Sequence, residues 1–268
     1  MFASPWIAAV FAIFAWWFFT GIILLVVRRA DKAPLGAHRA AVVATVPLFA
    51  LGVAGLVVST STLTVGNVYV SFLSVLLIWG WIEMAFLTGM ITGPETRPCP
   101  KTLTGWARFV RAWHTLSYHE LLLLMGLLIV TIATTGTENT FGLWTYLILF
   151  GARISAKLNL FFGVPRINTE FVPNPLAHLT SYFRQGDATL AFGIGITLLS
   201  FATACFAERL IAAQTGPQIA GFALLTALAA LATLEHWLMV IPLPDAKLWR
   251  WMLPALPTQT KTGDPHEL

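Results

Sequence analysis

Apolar residues fill seven long stretches of this chain, at about residues 6–27, 40–60, 67–92, 118–136, 141–162, 188–207 and 217–241. Each is long enough to cross a hydrocarbon core of about 30 Å as a helix. The runs are continuous and do not alternate polar with apolar positions, which predicts helices and not barrel strands. The pattern predicts an all-α polytopic membrane protein, a single domain over residues 1–268 with seven transmembrane helices. The first stretch has no basic segment before it, runs for about a full span and ends in Arg28-Arg29. It reads as a retained helix and not as a cleaved signal peptide.

The polar positions between these stretches set the orientation. Alternate threading puts the first, third and fifth connections and the C-terminal segment on one face. That face collects Arg28, Arg29, Lys32, Arg39, Arg97, Lys101, Arg108, Arg111, Arg153, Lys157, Arg166, Arg184, Lys247, Arg250 and Lys261, leaving only Arg209 of the 16 Lys and Arg on the other. Cytoplasmic connections accumulate Lys and Arg, so the N-terminus is predicted outside and the C-terminus in the cytoplasm. A composition of 57% hydrophobic and 10% charged residues agrees with a bilayer-embedded chain, as does a mean hydropathy of +0.76. The pI of about 9.3 would suit nucleic acid, but the positive charge is dispersed over four short segments and reads better as a topology signal. Cys99 and Cys205 fall near opposite faces and cannot pair.

Three segments at the basic face have structure of their own. Over residues 103–114, Trp106, Phe109, Val110 and Trp113 recur at i, i+3, i+4 and i+7, with Arg108 and Arg111 on the other side. This predicts a short amphipathic helix lying in the interface plane. Residues 245–253 repeat the idea with Lys247, Trp249, Arg250 and Trp251. Residues 163–187 begin Gly163-Val-Pro-Arg-Ile-Asn-Thr-Glu-Phe-Val-Pro-Asn-Pro175, and three prolines among turn formers predict a fixed irregular connection. Interfacial anchoring explains such segments; a docking surface for another membrane protein is the sharper reading, with Trp106, Arg108, Arg111, Trp113, Arg166 and Glu170 as its candidates.

Ionisable groups inside spans cost about 2.5–3.5 kcal/mol each on insertion scales and need a reason. Glu83, His119, Glu120, Arg153, Lys157, Asn159, Glu235 and His236 come from four different spans and share the cytoplasmic half of the bilayer. One reading pairs Glu83, Glu120 and Glu235 with Arg153 and Lys157 as structural ion pairs. A second, a carboxylate–histidine metal site, is disfavoured because His119-Glu120 and Glu235-His236 are adjacent and diverge by about 100° around the helix; no metal is expected. A third makes His236 or His119 an axial ligand of a tetrapyrrole, with Ala232 and Thr115 one turn away leaving room. Proton or substrate conduction is a fourth. The chain contains no phosphate-binding loop, dinucleotide fingerprint or nucleophile elbow.

Two stretches then carry a family resemblance: Ala152-Arg-Ile-Ser-Ala-Lys-Leu-Asn-Leu-Phe-Phe-Gly-Val-Pro-Arg-Ile-Asn-Thr-Glu170, and Glu235-His-Trp-Leu-Met-Val-Ile-Pro-Leu-Pro-Asp245 continuing into Leu248-Trp-Arg-Trp-Met-Leu253. They resemble the PuhE family of photosynthetic complex assembly proteins, and length and helix count match over essentially the whole chain. The resemblance implies a multi-pass protein of the bacterial cytoplasmic or photosynthetic intracytoplasmic membrane. It implies a gene near that of the reaction-centre H subunit, and a role in assembling the reaction centre with its light-harvesting antenna. It also links the family to bacteriochlorophyll supply. The expected partners are therefore the lipid bilayer, reaction-centre or light-harvesting subunits and pigment-synthesis enzymes, with bacteriochlorophyll as a transient cofactor. No catalytic residues transfer with the resemblance. The expectation is an assembly factor that is not an enzyme; the alternative is a membrane-embedded enzyme or transporter acting on bacteriochlorophyll or its precursors.

Overall fold

A computed structural model describes residues 2–242, and within them the chain is all-helical. The helices are α1 (Pro5–Asp31), α2 (Ala37–Ala44), α3 (Val46–Ser59), α4 (Val65–Leu87), α5 (Gly105–His114), α6 (Ser117–Thr134), α7 (Phe141–Phe162), α8 (Leu190–Ala212) and α9 (Gly216–Leu238). Among the described residues six units are long and apolar enough to cross a membrane: α1, the α2–α3 pair, α4, α6, α8 and α9. The chain is thus a multi-pass membrane protein. Where the sequence predicts seven spans, the helix not among the six is α7, as long as its neighbours but burdened by Arg153, Lys157 and Asn159. The predicted interfacial segment 245–253 lies outside the described residues.

Local chemistry explains the breaks. The apolar stretch 40–60 is two helices because Pro47 lacks the N–H that an unbroken ladder needs. The carbonyls at the break find other donors: the Thr45 hydroxyl donates to Ala41 O (2.9 Å) and Val42 O (3.0 Å), and the Trp81 indole N–H donates to Val42 O (3.2 Å). Helix α4 stops at Leu87, short of residue 92, where Gly89 turns the chain at φ +74° and lies against Pro175. Helix α9 opens on a capping box between Thr215 and Gln218 behind Pro217.

Helix α4 is the most enclosed, packed against α1, α2, α3, α6, α7 and α9. Small residues set these approaches. Ala8, Ala12 and Ala15 are the buried face of α1, while Trp6, Val10, Phe14 and Phe18 face outward. Gly52 and Gly55 bring α3 onto Ser74 of α4. Gly126 of α6 leaves room for the Tyr146 ring, whose hydroxyl donates to Leu123 O at 2.8 Å. Exposed Leu, Ile, Val and Phe side chains cover the outside of α1, α3, α6 and α8, a surface suited to lipid and not to water.

Contacts at the two ends show how the helices run. At one end Asn139 donates to Ser59 O (2.8 Å) and Asn67 O (3.1 Å), and Tyr69 donates to Phe2 O (3.0 Å). At the other, Arg28 donates to Glu170 O, Arg108 to Tyr182 O (2.6 Å) and the Arg166 backbone N–H to Met239 O (3.0 Å). Helix α7 begins at the first end and finishes at the second. Replacing Gly126 by Ile should force the Tyr146 hydroxyl aside and cost about 1–3 kcal/mol, read as a lower midpoint of thermal unfolding in detergent; an unchanged midpoint contradicts this packing.

Candidate functional site

Helix α7 carries polar groups on two opposite faces. Arg153 and Lys157 are one turn apart, as are Ser155 and Asn159, and the two-residue offset turns the second pair about 200° from the first. The first face looks toward α4 and α6. Arg153 Nη2 donates to Glu83 Oε2 at 2.8 Å, and Lys157 donates to Glu120 Oε1. The aromatic ring of Phe86 sits beside both cations, 5.7 Å from the Arg153 guanidinium carbon and 5.6 Å from the Lys157 ammonium. His119 stacks on the same ring at 4.2 Å and is completely buried. Its Nε2 lies 3.8 Å from Glu83 Oε1, too far for a good hydrogen bond. Both His119 nitrogens, Glu83 Oε1 and Glu120 Oε2 lack partners.

The second face looks toward α8 and α9. His236 Nδ1 lies 2.8 Å from Ala232 O, which can only accept, so Nδ1 carries the proton. His236 Nε2 therefore accepts from the Ser155 hydroxyl at 2.9 Å. Gly195 of α8 passes directly over Ser155, close to where Asn159 Nδ2 points. Asn159 is completely buried, and both its side-chain oxygen and nitrogen lack partners. Glu235 makes no ion pair among the described residues. The charges and histidines that the sequence groups by depth are thus two sites divided by α7.

The basic end is closed by a cap of connections. Arg108 donates to Phe161 O (3.3 Å) and Tyr182 O (2.6 Å), while Arg111 donates to the Tyr182 hydroxyl (3.1 Å) and pairs with Glu95 (2.9 Å). The Tyr182 hydroxyl in turn donates to Arg97 O (3.1 Å), and the Cys99 N–H donates to Ser181 Oγ (2.8 Å). Arg166 donates to Ile241 O at 2.6 Å. Beneath them Phe86, Leu176 and Leu179 form a small apolar core. The Arg97 backbone N–H and the Arg97 and Arg111 guanidiniums hold the Glu95 carboxyl below its ordinary range.

Of the predicted docking residues, Arg108, Arg111 and Arg166 thus tie the cap together, and Glu170 lends it a backbone carbonyl. Trp106 and Trp113 stay on the surface. Of the predicted tetrapyrrole ligands, His236 has both nitrogens engaged within the bundle, and His119 is enclosed against Phe86. A macrocycle at either ring would require the helices to open. No group of three or more His, Cys, Asp or Glu among the described residues is placed to hold a metal ion. Sequence reasoning missed Ser155 and Phe86. Ser155 had a signal, its one-turn spacing to Asn159 on the face opposite Arg153 and Lys157; Phe86 had none among so many aromatics.

Comparison with known proteins adds context to this geometry. The family described as Protein of unknown function (DUF3623) matches residues 2–260. A relative from Rhodobacter capsulatus, named "Uncharacterized 30.4 kDa protein in puhA 5'region", is 48% identical over 259 residues, covering 97% of this chain and 94% of its own. No solved structure matches the chain.

Breaking the Lys157–Glu120 pair should strand a buried charge. Lys157→Met or Glu120→Gln alone should each cost about 3 kcal/mol or more, and the double variant less than their sum; additive losses in detergent unfolding contradict the pairing. Glu95 gives a pH test in the cap. A depressed folded-state pKa contributes stability that is complete above the unfolded value and is lost as pH falls through the folded one. Hydrogen exchange over residues 95–114, corrected for its intrinsic rate, should be flat from about pH 8 to about pH 5 and rise below about pH 4. Exchange that rises on the alkaline side instead contradicts it.

Proposed function

The chain belongs to the family described as Protein of unknown function (DUF3623), and from that premise we propose that it is an assembly factor for the bacterial photosynthetic reaction centre–light-harvesting complex, of the PuhE type, and not an enzyme. The observation that carries this reading is the 48% identical relative whose name places it in the puhA 5′ region. The residue-level resemblance of 152–170 and 235–253 to PuhE supports the same assignment.

The proposed topology has seven spans, with α7 as the fifth, the N-terminus outside and the cap in the cytoplasm of a bacterial cytoplasmic or intracytoplasmic membrane. Support comes from the end-to-end path of α7 between Asn139 and the cap and from the Lys and Arg residues gathered at the cap end. A polar α7 is tolerable in lipid because Glu83 and Glu120 neutralise its two cations. In this reading the cap is the surface that meets a nascent subunit. Its arginines hold its shape, and Trp106 and Trp113, 75% and 45% exposed, supply the contact. Aromatic side chains at interface depth suit both a headgroup layer and a partner helix.

The test uses a phototrophic host expressing Trp106→Ala/Trp113→Ala. Protein abundance should stay normal while the near-infrared absorbance of the assembled complex falls about tenfold. Normal complex yield at normal abundance contradicts docking through this face, and normal complex yield in a strain lacking the gene contradicts the assembly role itself.

A further inference from the structure

Helix α7 is 22 residues long, yet among the described residues it is the one long helix too polar to qualify as a span on its own. Its first half, Phe141 to Phe150, is apolar apart from Thr145 and the Tyr146 hydroxyl. All its charge, with Asn159, falls in the second half. The two cations are met by carboxylates of α4 and α6, Glu83 for Arg153 and Glu120 for Lys157. Helices α4 and α7 run side by side in one direction: Gly142 lies against Ser71 near their starts, and Arg153 meets Glu83 near their ends. Helices α8 and α9, which follow α7 in the chain, offer it Gly195 and His236. Among the described residues no ion pair joins either of them to it.

We propose that α7 is a conditional span, entering the bilayer only once α4 and α6 are in place to present Glu83 and Glu120. The inference rests on the seven-span topology proposed above and adds the order in which that topology is built. Charges within a span are costly unless they face the bundle and pair there. In chain order both carboxylates precede both cations, so the two anions already stand in the bilayer when Arg153 and Lys157 arrive. The same step gives each carboxylate its counterion, and so completes α4 and α6 as well as α7. Without the carboxylates the second half of α7 favours water, and the helix passes on to the outer side instead of stopping. The chain after it then starts from the wrong face. Residues 163–187 could not reach Arg108 and Arg111, which hold Tyr182 in the cap. The pairs thus act as a checkpoint on topology: the cap closes only in a chain whose α4 and α6 have captured α7.

The test uses the full chain with Cys99 and Cys205 replaced by Ser and a single probe, Asp187→Cys, in the exposed connection after α7. In intact spheroplasts a membrane-impermeant maleimide should leave this probe unlabelled. Adding Glu83→Gln and Glu120→Gln should raise its labelling, per molecule recovered in the membrane, about tenfold. Adding Arg153→Leu and Lys157→Leu to that chain leaves α7 uncharged, and labelling should return to its first level. The return separates an insertion defect from general misfolding. A probe before α7, Glu138→Cys, should be labelled alike in all three backgrounds. Protection that persists in the Glu83→Gln/Glu120→Gln chain overturns the proposal, because the positive charges after α7 then hold it without the carboxylates. Labelling that persists in the fourfold variant overturns it too, because unpaired cations are then not the cause. Outside labelling of Asp187→Cys with all four charges present overturns the seven-span topology, and the inference with it.

Discussion

Two cations buried on one side of α7 need two anions at the same level, and α4 and α6 supply them. Glu83 meets Arg153 and Glu120 meets Lys157. At about 2.5–3.5 kcal/mol for each exposed charge in lipid, four unpaired charges would outweigh much of the stability of a domain of this size. Paired, they impose one rotation of α7, because both cations must face the carboxylates at once. That rotation turns Ser155 and Asn159 to the far side, where Ser155 meets His236 and Asn159 finds no protein partner. The ion pairs thus decide which polar groups of α7 face α8 and α9.

The cap follows from the same economy of partners. Its connections contain prolines, an irregular backbone and many carbonyls that no helix satisfies. Arg108 reaches carbonyls of Phe161 and Tyr182 together, Arg166 reaches Ile241, and Arg28 reaches Glu170. Arginine can do this because its planar fork offers several donors from one side chain. The residues that would mark this end as cytoplasmic are therefore also those that fold it. The aromatics left over, Trp106 and Trp113, are free to meet lipid or protein.

Much of the helical pattern was legible in the chain. The continuous apolar runs, the helical spacing over 103–114 and the proline-rich connection all have counterparts in the structure, because each is a local signal. What was illegible depended on distant partners. The stretch 40–60 looks unbroken by hydropathy, since Thr45 and Pro47 are tolerable in a span; the break shows only once Trp81 is seen serving Val42 O. Arg108 and Arg111 look solvent-facing beside Trp106 and Trp113, yet the Phe161 and Tyr182 oxygens they reach lie more than fifty residues away. Grouping polar residues by depth merged Asn159 with Arg153 and Lys157, although a helix wheel alone separates them. The histidines illustrate the remaining limit: sequence places His119 and His236 at similar depth, and only packing distinguishes an enclosed ring with vacant nitrogens from one engaged on both sides.

The account depends on α7 crossing the bilayer despite its charge. The direct measurement is thiol accessibility on its two flanks in a background with Cys99 and Cys205 replaced by Ser, comparing Glu138→Cys before α7 with Asp187→Cys after it, both exposed positions. A membrane-impermeant maleimide applied to intact spheroplasts should label the Glu138→Cys protein and spare the Asp187→Cys protein, and inverted vesicles should reverse the result. Labelling of both from the same side would mean that α7 does not span, and the topology, the cytoplasmic cap and the role assigned to the ion pairs would fall together.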